Sequence, residues 1–88
     1  MCKTIWKFTL RPIIEIEMPE GAQVLSVHEQ NGELCMWAQV RTENPRVKRK
    51  FFTFGTGHIL PDNKRLKYVG TALLIDEALV LHVFEEDL

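Results

Sequence analysis

The chain has 88 residues, 45% of them hydrophobic and 26% charged, which predicts one globular domain over residues 1–88 and excludes a disordered chain. Its formal net charge of −1 gives no general attraction to nucleic acid or to a membrane surface. Lys3 and Lys7 interrupt the N-terminal segment where a signal peptide would be apolar, and no run reaches the roughly 18 apolar residues that span a bilayer. We therefore expect a cytoplasmic protein with neither a membrane nor a long nucleic acid as its partner.

Alternating apolar and polar residues predict strands at both 3–10 and 13–18. Pro12 ends the first of these strands, and Pro19 and Gly21 predict a turn after the second.

The dipeptide Asn31-Gly32 lies between two β-rich runs and predicts a hairpin with a two-residue type I′ turn, because both central residues of that turn need positive φ. The register then follows. Three pairs are predicted on the core face: Val27 with Met36, Leu25 with Ala38, and Glu29 with Leu34. Three pairs are predicted on the opposite, mixed face: His28 with Cys35, Ser26 with Trp37, and Val24 with Gln39.

The second half of the chain predicts three more strands. In residues 47–55, Phe52 and Phe54 share a face with the lysines, whereas Phe51 faces the other way. Residues 56–65 have the composition of a loop, and Gly70 interrupts the next strand as a candidate bulge or close backbone contact. Two alternatives remain for residues 71–84: a hairpin turning at residues 76–78, favoured by the β-branched residues, or a helical segment.

The predicted fold is therefore mainly β, a bent antiparallel sheet or small barrel of about seven strands with at most one short helix. Seven short strands leave exposed edges, and a chain of this length buries a limited core. We therefore expect a homo-oligomer, most simply a homodimer.

The sequence carries no strong enzyme signature. Cys2 and Cys35 show neither metal-ligand spacing nor a redox motif, so no metal and no cofactor are expected. The cross-strand pair of His28 and Cys35 suggests a nucleophile and its base, but no third residue orients them. His82, in an apolar strand, is expected to be packed and hydrogen-bonded. A non-enzymatic protein is predicted.

The segment "GTGH" at residues 55–58 is the candidate anion site, because consecutive N–H groups of a glycine-rich loop can form a nest. The other possibility is that the two glycines only shape the exit of a strand. Five basic residues against one acid in residues 41–50 supply positive charge, although these lysines and arginines also suit a solvated edge strand. The aromatic residues between them suit stacking on bases. The candidate ligand-binding residues are Gly55, Thr56, Gly57, His58, Lys50, Arg41, Phe54 and Trp37.

The segments "KTIWKF", "IEMPEGAQVLSV", "CMWAQV", "FGTGHILP", "YVGT" and "HVFE" resemble a family of small proteins of tailed bacteriophages and prophages, a domain of unknown function. The resemblance covers nearly the whole chain. Leu81, where an aromatic residue often stands in that family, and the arginine-rich segment 41–50 depart from the pattern.

The resemblance implies a phage counter-defence protein acting in the host cytoplasm. One mechanism is sequestration of a small anionic nucleotide, a cyclic or ADP-ribose-type signal, without cleaving it. The alternatives are an inhibitor that binds a host enzyme or defence factor, with Trp37 as the anchor of the contact, and a structural or accessory phage protein.

Overall fold

Turn residues divide the chain into seven antiparallel strands in the computed structural model, which describes residues 2–76 and 78–87. The strands are β1 (Lys3–Thr9), β2 (Ile13–Pro19), β3 (Gln23–Gln30), β4 (Glu33–Arg41), β5 (Arg46–Gly55), β6 (Leu66–Leu74) and β7 (Leu79–Glu86). A three-stranded sheet has the order β1-β4-β3, and a four-stranded sheet has the order β2-β5-β7-β6. The prediction of a mainly β domain with about seven strands is confirmed, and the described residues contain no helix.

One face of each sheet is buried against the other sheet. The shared core consists of Leu10, Met18, Ala22, Val27, Leu34, Met36, Ala38, Val40, Phe51, Ala72, Leu74 and Val83. The domain measures 42 × 33 × 15 Å, and the shortest dimension fits two sheets packed about 10 Å apart. β3 and β6 lie side by side, which brings the two sheets together along one edge. Each sheet thus has an outer face that points away from the core.

The β3–β4 hairpin confirms the predicted turn, because φ is +53° at Asn31 and +80° at Gly32. The predicted register also holds from the turn to the pair of Ser26 and Trp37.

Beyond that pair the predicted register is wrong. Ala38 pairs with Val24 instead of Leu25, and Gln39 pairs with Gln23 instead of Val24. Leu25 is an additional residue in β3 at a bulge, so it has no partner in the ladder and is 50% exposed. The bulge turns Val24 toward the core in its place.

β6 and β7 form a hairpin, so the helical alternative for residues 71–84 is wrong. Leu74 pairs with Leu79, and the turn begins with Ile75 and Asp76, both at φ of +51°. The turn predicted at residues 76–78 includes Glu77, which lies outside the described residues.

Gly70 follows a bulge, because the register shifts between Tyr68 and Gly70. A Cβ atom on Gly70 would also lie 3.1 Å from Val27 Cγ2 on β3. The predicted bulge is therefore confirmed, and the close contact to the Gly70 backbone is made by the Val27 side chain.

An ion pair on the inner face of the four-stranded sheet ties three segments together. Arg49 on β5 donates to both carboxylate oxygens of Glu85 on β7, at 2.6 and 2.8 Å, and to the carbonyl oxygen of Ala22 at 2.6 Å. The hydrogen bond to Glu85 raises the pKa of Arg49, and burial opposes that change. The pair links β5 to β7 and anchors the segment that leads into β3.

Candidate ligand site on the outer face of the four-stranded sheet

The register of the four-stranded sheet aligns four aromatic side chains on its outer face. Phe52 pairs with Ile13 on β2 and with Phe84 on β7, and Phe84 pairs with Tyr68 on β6. Phe54, two residues beyond Phe52, shares this face and stacks on its ring with centroids 6.3 Å apart. We call Phe52, Phe54, Tyr68 and Phe84 the outer aromatic face.

Phe84 contacts two other rings of the outer aromatic face edge to face. The Phe84 centroid lies 5.9 Å from that of Phe54 and 5.6 Å from that of Tyr68. Lys50 and Lys64 each place Nζ 5.5 Å from the Phe52 centroid, and Phe52 is only 5% exposed. Two cations therefore border a group of rings of which Tyr68, at 57%, is the most exposed to solvent.

A chain of hydrogen bonds crosses the sheet beside these rings. The Thr56 hydroxyl lies 2.8 Å from His82 Nε2, and the Thr71 hydroxyl lies 3.1 Å from His82 Nδ1. The Thr71 hydroxyl in turn lies 2.6 Å from the Tyr68 hydroxyl. His82 is hydrogen-bonded, as expected, and the chain fixes the orientation of its ring on the outer face.

The loop at residues 55–58 is held by contacts between its own first and last residues. The His58 N–H donates to the Gly55 carbonyl at 3.1 Å, and the Gly55 N–H donates to His58 Nδ1 at 3.1 Å. A Cβ on Gly55 would lie 3.0 Å from His58 Cε1, so the ring needs glycine beneath it. Gly57 has φ of +88°, a backbone conformation that favours glycine whatever the surrounding contacts.

This arrangement changes the anion nest that the sequence predicts. Because the Gly55 N–H is bound to His58, a nest in this conformation depends on the N–H groups of Thr56 and Gly57. Because His58 Nδ1 accepts a hydrogen bond, a neutral ring carries its proton on Nε2. His58 can therefore donate one hydrogen bond, from Nε2, to a ligand.

The loop and the outer aromatic face meet at a depression of about 180 Å³. Its lining consists of Phe54, Gly55, Thr56, Gly57, His58, Leu60, His82 and Phe84. Five of these residues are among the predicted site residues. The other three, Leu60, His82 and Phe84, are not. Strand pairing brings His82 and Phe84 here from a segment more than 20 residues away in sequence.

The remaining predicted residues lie apart from the depression. Lys50 shares its face but precedes Phe54 by four strand residues, about 13 Å. Arg41 pairs with Lys3 at the end of β4, near the start of β5, whereas the loop follows the end of β5. Trp37 lies on the three-stranded sheet, whose outer face points to the opposite side of the domain. The structure thus brings neither Arg41 nor Trp37 to the loop.

The predicted pairing of His28 with Cys35 is confirmed, but Cys35 is 2% exposed and its thiol lies 3.7 Å from the Glu33 carbonyl. In residues 2–76 and 78–87, no cluster of side chains could hold a metal ion. The same residues include no helix long and apolar enough to cross a membrane.

The fold and this surface define a small two-sheet β-protein with an aromatic and histidine-lined depression on one outer face. The chain belongs to the family of the domain of unknown function DUF7352, whose model matches residues 1–88. Comparisons with curated proteins and with solved structures gave no match.

Proposed function

We propose that the protein binds a small anionic nucleotide at the depression and on the adjoining outer aromatic face. One observation carries the proposal: the hydrogen-bonding groups of the 55–58 loop line the same depression as the rings of Phe54 and Phe84. A nucleotide needs both elements, donors for its phosphate and an aromatic surface for its base.

Each group has a role in this proposal. The N–H groups of Thr56 and Gly57 and the Nε2–H of His58 donate to phosphate oxygens. Phe54 and Phe84 provide the surface on which the base stacks. Lys50 contributes charge from the same sheet face at longer range, so its effect falls as salt screens it.

We further propose that the ligand is held and released intact. The lining of the depression includes no carboxylate and no thiol, and His82 is engaged through both ring nitrogens. Together with the resemblance to phage and prophage proteins, this supports sequestration of a host nucleotide signal in the host cytoplasm, a counter-defence function. A homodimer that protects the sheet edges remains part of the proposal.

The test is a calorimetric titration of the protein with 3′,3′-cyclic dinucleotides and with cyclic ADP-ribose isomers. We expect at least one to bind, and His58→Ala, Gly57→Val and Phe84→Ala each to weaken it at least tenfold, about 1.4 kcal/mol. Arg41→Ala and Trp37→Ala are the matched controls and should bind as the wild type does, because both residues lie away from the loop.

No binding by any nucleotide in the panel, or unchanged binding by all three loop and face variants, would contradict the proposal.

The second candidate function is inhibition of a host protein through the outer face of the three-stranded sheet. It is favoured by the position of Trp37, which pairs with Lys7 and Ser26 and has its centroid 6.2 Å from that of His28. Stoichiometric capture of a host protein that Trp37→Ala abolishes would select it.

A further inference from the structure

The two sheets meet along one side of the domain and are open along the other. β3 and β6 lie side by side, whereas β1 and β2 are the outermost strands on the other side. β1 and β2 run in opposite directions, because residues 10–12 connect them at one end, and Lys3 and Glu20 line one depression at the other end. Among the described residues, no strand pairs with the outer edge of either one. We call β1 and β2 the open edge.

The hydrogen-bonding pattern indicates which backbone groups of the open edge point outward. The Leu10 N–H donates to the Leu34 carbonyl, and the Glu20 N–H donates to the Pro45 carbonyl. Every second residue of an antiparallel strand bonds to a given neighbour, so the even-numbered residues of β1 and β2 bond to β4 and β5. The odd-numbered residues direct their N–H and C=O groups outward. An antiparallel strand added to this edge therefore bonds to the odd-numbered residues.

The side chains of the open edge follow the same alternation. Four even-numbered side chains are partly buried and pack against the core: Trp6, Phe8, Ile14 and Ile16. Six odd-numbered side chains are exposed on the outer faces: Lys3, Ile5, Lys7, Ile13, Glu15 and Glu17. If β1 and β2 of two copies pair odd residues with odd residues, the apolar inner face and the polar outer face both continue across the junction.

The exposed side chains of the two strands carry opposite charges. Lys3 and Lys7 lie on β1, and Glu15 and Glu17 lie on β2. None of the four forms an ion pair with a described residue, although Lys7 donates to the Gln30 side chain and two lysines of β5 lie opposite the glutamates. Opposite charges stabilise an antiparallel pair, and like charges directly opposite destabilise it. β1 therefore complements β2 of a second copy, whereas β1 with β1 or β2 with β2 would place like charges together.

We propose that two copies of the chain form a closed dimer through the open edge, with β1 of each copy paired antiparallel to β2 of the other. A two-fold axis parallel to the strands forms both pairs at once, because the two strands of one copy run in opposite directions. This axis preserves the height of each residue along the strands. Lys7 and Glu15 are each four residues from Arg11, so they lie at the same height. Lys7 is therefore opposite Glu15 of the partner subunit.

This inference rests on the homodimer within the proposed function and not on nucleotide binding. No residue of β1 or β2 lines the depression, so the dimer forms without a nucleotide. A failure of the edge pairing would thus leave the nucleotide site standing, and a failure of nucleotide binding would leave the edge pairing standing.

The test is sedimentation equilibrium of the nucleotide-free chain from about 1 μM to about 500 μM, where we expect a dimer. Lys7→Glu and Glu15→Lys each place like charges opposite each other twice in the dimer, so each should weaken association at least tenfold. An equimolar mixture of the two variants should recover association, because both contacts between unlike copies again join a lysine to a glutamate. Circular dichroism of each variant checks that the strands are formed.

Arg65→Glu is the matched control for the change in charge. Arg65 is exposed and directly precedes β6, which is the strand of its sheet farthest from β2. This variant should associate as the wild type does.

Amide hydrogen exchange locates the contact. The outward N–H groups of Ile5 and Glu15 should exchange at least tenfold more slowly in the wild-type dimer than in Lys7→Glu, whereas the Trp6 N–H is bonded to β4 and should be protected in both. A wild-type chain that is monomeric throughout would overturn the proposal, and the charges would then serve to keep the edges unpaired. Species larger than a dimer, a mixture that does not recover association, an Arg65→Glu protein as weak as Lys7→Glu, or unprotected Ile5 and Glu15 amides would overturn it too.

Discussion

Gly70→Ala tests the contact that brings the two sheets together. A Cβ at this position would lie 3.1 Å from Val27 Cγ2 and 3.2 Å from Val27 Cβ, whereas ordinary contacts are 3.4–4 Å. The methyl group Cγ2 can move by rotation about χ1, but Cβ is fixed to the backbone. Val27 is 4% exposed and has little space around it. Accommodating alanine therefore requires β3 and β6 to move apart.

Two opposing effects set the magnitude. Overpacking a core contact costs about 1–3 kcal/mol. Replacing glycine by alanine stabilises the fold by about 0.4–1 kcal/mol, because it lowers the conformational entropy of the unfolded chain. This stabilisation applies at position 70, because Gly70 is not among the glycines with positive φ. We expect a net loss of about 1 kcal/mol in the free energy of unfolding, or about 4–8 °C in melting temperature for a domain of this size.

Urea denaturation of a double-mutant cycle with Val27→Ala measures the contact directly. Alanine at position 27 keeps Cβ but removes both γ-methyl groups, so it should relieve part of the crowding. We expect the double mutant to be more stable than the sum of the single changes by about 0.5–1 kcal/mol. Additive effects, or a Gly70→Ala protein more stable than the wild type, would refute the argument that the two strands meet at this point.

Two further changes test how the sheets are held. Glu85→Gln should lower the free energy of unfolding by about 2 kcal/mol in urea denaturation, because it removes a partly buried, two-bond ion pair from Arg49. Because the pKa of Arg49 is raised in the fold, its contribution is complete below the ordinary pKa of arginine and is lost only as the pH rises through the folded pKa. The loss should thus be equal at about pH 7 and pH 9, and a smaller loss at pH 9 would contradict this assignment. Gly32→Ala should cost about 1 kcal/mol in the same assay through its φ of +80° alone, since a Cβ there meets no atom within 4 Å. An unchanged urea midpoint would mean that the turn does not constrain the hairpin.

Local patterns were sufficient to predict most of the strands and two turns, the one after Pro19 and the one at Asn31 and Gly32. Asn31 and Gly32 both adopt positive φ readily, and a two-residue hairpin turn needs positive φ at both positions, so this dipeptide is sufficient to predict the hairpin. The bulge at Leu25 was missed because nothing in the alternation of residues 23–30 distinguishes an additional residue from a regular one. Only packing against the core makes Val24, and not Leu25, the residue that is partly buried against it.

The candidate site was predicted only in part, because local patterns indicate its loop but not the strand pairing that completes it. Gly55 and His58 are three residues apart and interact directly, so the local sequence was sufficient to predict this loop. Phe84 and Tyr68 reach Phe52 through the pairing of β7 with both β5 and β6, which no local pattern specifies. Trp37 is predicted as a stacking residue because it is the large aromatic side chain on the mixed face of the hairpin, but the two-sheet topology places it on the opposite outer face.

The internal contacts of the loop limit what the loop alone can support. The turn needs glycine at position 55 because the His58 ring lies against it, and glycine at position 57 because φ is positive there. It needs His58 because Nδ1 accepts a hydrogen bond from the Gly55 N–H. These three residues would be needed for a stable turn even without a ligand. Binding is supported by what the turn does not require, the rings of Phe54 and Phe84 that lie beside it on one outer face. Variants of Phe54 and Phe84 therefore discriminate between a ligand site and a turn, whereas variants of Gly55 and Gly57 affect both.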